Sequence, residues 1–74
     1  MTKEKAQKQY GRLLKKRREE KGISAAELSR LVFMERSHIA RLEAGGTNPT
    51  LSTIYKISQA LGLTIEEFFE GAKF

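Results

Sequence analysis

Apolar positions along the chain recur at helical spacing and mark five helices with no strand signal, which predicts an all-α fold. From Gln9 to Lys21, Tyr10, Leu13, Leu14 and Arg17 mark an i, i+3, i+4, i+7 face, and Gly22 supplies a left-handed cap. Ser24-Ala25-Ala26-Glu27 is a Ser-x-x-Glu capping box. It opens a second helix, about Ala25 to Val32, with apolar positions at Leu28, Leu31 and Val32. The pattern breaks at Phe33-Met34-Glu35 and resumes from Arg36 to Glu43, where only Ile39 and Leu42 face inward. Arg36, Ser37, Ala40 and Arg41 are thereby left free for a partner.

Gly45 and Gly46 end the third helix, and Thr50 is placed to cap a fourth, about Leu51 to Leu61. Its stripe is Leu51, Ile54, Ile57 (or Ser58) and Leu61, closed by Gly62. A second capping box, Thr64 to Glu67, starts a short fifth helix with Ile65, Phe68 and Phe69. Adjacent residues on a helix point about 100° apart, so a small bundle hides one of the two Phe rings more readily than both. Phe68 and Phe69 therefore compete for the core, and the ring left outside joins Tyr55 or Phe74 as a subunit contact. The expected organisation is a basic N-terminal extension at 1–9, a five-helix bundle at 10–70 and a tail at 71–74. The extension is either a frayed helical turn or a mobile arm.

Composition narrows the chemistry. The chain has 74 residues, one His and no Cys. It also lacks Asp, and His38 has no second His, Cys or Asp nearby to complete a metal site, so neither an enzyme nor a cofactor is expected. Its apolar runs are far too short to span a membrane, Met1 to Gln9 lacks the apolar stretch of a signal peptide, and the absence of Cys suits a reducing cytoplasm. The net charge of +5 is unevenly placed. Met1 to Arg41 holds twelve Lys and Arg against five Glu (+7), and the remainder two against four (−2). The basic half is the half suited to a polyanion.

Individual residues now resemble the Cro/CI-type helix-turn-helix regulators, the XRE family, over about Tyr10 to Phe69. The resemblance rests on Gly11, Leu14 and Arg18, then Gly22-Ile23-Ser24, Glu27-Leu28, Arg36-Ser37, Ile39, Arg41-Leu42-Glu43 and Gly45. It continues through Asn48-Pro49-Thr50-Leu51, Ile54 and Ala60-Leu61-Gly62-Leu63. It implies a lambda-repressor-like bundle in which helix 3 enters the major groove of double-stranded DNA. Arg36, Ser37 and Arg41 match the base-reading positions, with His38 and Ala40 beside them. Ala25, Thr47 and Asn48 match phosphate-contacting positions, and Arg18 and Glu43 a structural ion pair. Phe33 stands where the family usually has Gly, Glu35 where it has Ser, Thr or Asp, and Ala25 where Gln is common.

The resulting expectation is a homodimeric, sequence-specific transcriptional regulator on a pseudo-palindromic operator, with Tyr55, Phe68 and Phe69 at the dimer interface and no small-molecule ligand evident. The small size and the Arg36-Ser37-His38-Ile39 run further resemble restriction-modification controller proteins. The alternative is a protein-interaction module of the same fold, such as an antitoxin-like partner, without specific DNA reading.

Overall fold

The computed structural model covers residues 1–74 and holds five helices: α1 (Lys3–Glu20), α2 (Ala25–Val32), α3 (Arg36–Ala44), α4 (Leu51–Ala60) and α5 (Ile65–Phe68). Four starts are capped through side chains. Thr2, Ser24, Thr50 and Thr64 each accept from the backbone N–H three residues on, and at Ser24 and Thr64 the carboxylate of the Glu at the third helical position accepts in turn from the cap residue's own backbone N–H. Each such cap satisfies donors that a helix end otherwise leaves unpaired. The Thr64 box also stabilises the Glu67 carboxylate, whose pKa falls below the ordinary value chiefly through its backbone hydrogen bond to Thr64.

The core is Tyr10 and Leu14 from α1, Leu28 and Val32 from α2, Ile39 and Leu42 from α3, Ile57 from α4, Leu61 just beyond it and Phe68 from α5. Removing this apolar surface from water is the main favourable contribution to folding. Two buried hydroxyls are accommodated locally, Ser29 donating to Ala26 O at 2.7 Å and Ser58 to Tyr55 O at 2.8 Å. The Tyr10 hydroxyl is buried without a partner, and desolvation pushes its pKa well above the ordinary value.

The helices α1 and α3 meet at backbone distance. A Cβ built on Gly11 falls 2.4 Å from Leu42 O and 2.5 Å from Glu43 O, so only glycine fits. The same seam holds the Arg18–Glu43 pair. Arg18 Nε donates to Glu43 Oε2 at 2.6 Å and Nη2 to Oε1 at 3.0 Å, with each side chain only 12% exposed. Arg18 Nη1 donates further to Ile23 O at 3.0 Å, tying down the chain entering α2. Hydrogen bonding to Glu43 raises the Arg18 pKa further above its already high value, against an opposing desolvation.

Three expectations are corrected. Helix 1 begins at Lys3 rather than Gln9, so most of the 1–9 segment is neither arm nor frayed turn but the first half of α1, capped by Thr2. Leu51 sits at the solvent end of α4, 76% exposed, outside the core stripe. Phe68 is sealed in the core at 0% exposure and is unavailable to another subunit. Phe69 is half-buried, its ring 5.0 Å from Phe68 and 5.7 Å from Phe74. Both rings find shelter because Tyr10 stacks on Phe68 at 5.5 Å and the C-terminal residues fold back over Phe69.

Candidate nucleic-acid interface

The short link from α2 to α3 sets the approach of α3. Phe33 occupies the left-handed region (φ 56°, ψ 45°) and is 94% exposed, so a bulky side chain takes a conformation usually left to glycine and gains no packing there. Met34 N donates to Ser29 O at 3.0 Å, which closes the turn regardless of the residue at 33. Glu35 is the N-cap of α3 but makes no side-chain capping bond. Its carboxylate accepts from Ser37 Oγ at 3.4 Å and stands beside the positive end of the helix dipole.

Along α3 the division of faces is complete. Ile39 and Leu42 are buried, whereas Arg36, Ser37, Ala40 and Arg41 are exposed and His38 is half-buried beside them. Neither Arg36 nor Arg41 is engaged by a carboxylate, since the ion pairs of the molecule are Arg17–Glu20 and Arg18–Glu43. Two guanidiniums and a hydroxyl thus project from one helical surface that carries no bulky apolar group. Such groups suit the base edges of a major groove, where Arg can bond guanine O6 and N7 together.

At its far end α3 is closed by Gly45 (φ 77°), with Gly45 N donating to Leu42 O at 3.1 Å and Gly46 N to Arg41 O at 2.9 Å. The loop beyond runs to Thr50. Thr47 is half-buried and Asn48 exposed, and their backbone N–H groups donate to no backbone carbonyl. Ala25, the remaining phosphate-contacting expectation, is half-buried and packs against the core, so it offers a backbone amide at the start of α2 rather than a side chain. Amides at a helix start favour an anion through both their donors and the dipole.

The predicted site residues therefore fall into separate groups. Arg36, Ser37, His38 and Arg41 share α3; Thr47 and Asn48 follow it; Arg18 and Glu43 lock its inner side; Tyr55, 52% exposed, lies away on α4. What the sequence reading missed is Glu35 as a partner of Ser37. The two-residue spacing was its only signal. No helix is long and apolar enough to cross a membrane.

Comparison with known proteins places these features. The helix-turn-helix family pattern matches residues 14–68. The regulator DdrOP3 of Deinococcus deserti is 28% identical over 61 residues, 82% of this chain and 47% of its own length. The control protein C.MunI of a Mycoplasma species is 34% identical over 61 residues, 81% of this chain and 82% of its own. The chain thus spans about half the length of the first relative and most of the second. Among solved structures, the restriction-modification controller protein C.AhdI of Aeromonas hydrophila superposes with a TM-score of 0.81 at 31% identity, covering 86% of this chain and 97% of its own.

Proposed function

The chain belongs to the helix-turn-helix family, and from that membership we propose that it is a transcriptional regulator that reads double-stranded DNA by sequence, as a homodimer, with α3 in the major groove. The observation that carries this reading is the divided surface of α3, on which Ile39 and Leu42 are buried while Arg36, Ser37, Ala40 and Arg41 are open. Arg36, Ser37, His38 and Arg41 contact bases. Thr47, Asn48 and the Ala25 amide hold the flanking phosphates and set the register.

The homodimer uses the edge of α4 and α5, where Tyr55, Leu63 and Ile65 line a hollow of about 500 Å³ together with Gln59. Tyr55 and Phe69 are retained as contacts, and Phe68 is not. A two-fold dimer calls for a pseudo-palindromic operator with half-sites about 34 Å apart. Likeness to C.MunI and C.AhdI, a control protein and a restriction-modification controller protein by name, favours a role of that kind here.

Selection of bound duplexes from a randomised pool tests the reading. An inverted repeat should emerge, and Arg41→Ala should weaken the selected site by about 1 to 3 kcal/mol while non-specific binding changes little. A folded protein that enriches no sequence would refute it and leave the second reading, a protein-interaction module. That reading is favoured by one observation, the Phe33 ring held 94% exposed at the turn. Sedimentation of Tyr55→Glu beside the wild type checks the dimer edge, and an unchanged mass would remove Tyr55 from it.

A further inference from the structure

The outer face of α1 carries a charge that base reading by α3 does not use. Lys5, Lys8, Arg12, Lys15 and Lys16 are all exposed. At about 100° per residue these positions fall within roughly 100° of arc, on the side away from Tyr10 and Leu14. None is in an ion pair, because both pairs in the molecule use other residues. Glu4 and Glu19, near the two ends of the face, are within ion-pair distance of none of them. The pairs 5/8, 8/12, 12/15 and 12/16 are like-charged neighbours at the helical spacing where such pairs work against the helix. Elsewhere the chain distributes charge differently, with Glu66, Glu67 and Glu70 gathered around α5.

Two shallow hollows flank this stripe. One, of about 240 Å³, is walled by Lys5, Lys8, Gln9 and Arg12 without a carboxylate or an apolar residue. The other, about 270 Å³, shares Gln9 and Arg12 and adds Lys16 and Lys73. The stripe also abuts the end of the reading helix. A Cβ on Gly45 would fall 2.7 Å from Lys8 Cα, so the backbones of α1 and the α3 cap touch there.

We propose that the outer face of α1 is a second DNA-backbone surface, which holds phosphates outside the groove read by α3. Its length fits. Eleven residue steps from Lys5 to Lys16 make about 16 Å at 1.5 Å per residue. That length spans about five base-pair steps at 3.4 Å of axial rise each, and because each strand winds about the axis only the nearest few of their phosphates face a straight stripe. Three convergent cations around a polar hollow bind a phosphate oxygen without reading a base, which makes this surface indifferent to sequence. The phosphates belong either to the flank of the bound duplex or to a second duplex.

The inference rests on the DNA-binding reading, and one experiment separates the two. The full chain and the variant Lys5→Gln/Lys8→Gln/Arg12→Gln are compared on duplexes selected from the random pool, first with short ends and then with long flanks. Thermal unfolding should not fall in the variant, since like charges are removed from an exposed face. Each lost phosphate contact lowers the slope of log K against log salt by about 0.9, so the slope should drop by about 2 to 3 while the selected sequence stays the same. A drop confined to long flanks assigns the phosphates to the same duplex. A drop on short duplexes, with loss of co-capture of a second labelled duplex, assigns them to a second one.

Equal slopes for wild type and variant on every duplex would overturn the proposal. So would an altered selected sequence, which would make the stripe part of the reading face. A change confined to self-association of the free protein would overturn it as well, assigning the stripe to the acidic α5 of another copy. A wild type that selects no sequence defeats the DNA-reading function instead.

Discussion

The two ends of α3 are built on opposite terms. Its C-terminal end is held on every side, with Gly11 packed on the Leu42 and Glu43 carbonyls, the Arg18–Glu43 pair across the seam and Gly45 closing the helix. Its N-terminal end has no side-chain cap, follows a left-handed Phe33 and leaves Arg36 and Ser37 in solvent. Structural energy is concentrated where the helix meets the body, and the projecting end is left free of it. That polarity suits the proposed entry of α3 into a groove, because a group bulky enough to brace its outer end would also block the approach.

Breaking the held end has the largest expected effect. Arg18→Ala leaves Glu43 mostly buried and unpaired, which should cost about 3 kcal/mol, the low end for a pair that still meets some solvent. Thermal unfolding would register it, and the double replacement Arg18→Met/Glu43→Leu should recover most of the loss, since an apolar pair of similar volume needs no desolvation. Gly11→Ala comes next, at about 2 to 3 kcal/mol, because the clashing atoms are backbone carbonyls that move only with α3 itself. If both variants unfolded like the wild type, the seam would not be what fixes α3.

At the projecting end the expected changes are smaller and of opposite sign. Phe33→Gly relieves a left-handed conformation worth about 1 to 2 kcal/mol and gives back part of that as chain entropy, so a net gain of about 0.5 to 1 kcal/mol is expected in chemical denaturation. Glu35→Asp keeps the charge and shortens the side chain to capping length, for a gain of about 0.5 kcal/mol. A loss of stability in either variant would show that the turn packs more tightly than its exposure indicates.

The same contrast explains what could be read without coordinates. Capping boxes at Ser24 and Thr64 and the Ile39/Leu42 stripe are local, and a few residues suffice to specify them. The positive φ at Phe33 was legible only as a departure from a family pattern, since nothing in the residue itself demands it. Phe68 against Phe69 could not be decided, because a four-residue helix has too little periodicity and its orientation comes from Tyr10, a long way off in the chain. The start of α1 was missed for a related reason. Lys3 to Gln9 is polar nearly throughout, and its helix is secured by the Thr2 cap and by continuity with the packed half. On α3 the division into buried and exposed positions was legible, whereas the Glu35–Ser37 contact and the open amides at Thr47 and Asn48 depend on backbone path.

Arg17 and Arg18 are consecutive on α1 yet hold different parts of the molecule. Arg18 grips Glu43 of α3, while Arg17 donates through Nε to Phe68 O at 2.8 Å and through Nη2 to Glu70 O at 2.6 Å, the end of α5. One helical step therefore joins α3, the helix proposed to read DNA, to the edge proposed for the partner subunit. In the proposed dimer α1 would act as a caliper, fixing the span between the two copies of α3 by a rod gripped at adjacent teeth. An operator with one or two base pairs more or fewer between its half-sites would then have to be met by deforming the DNA, not the protein.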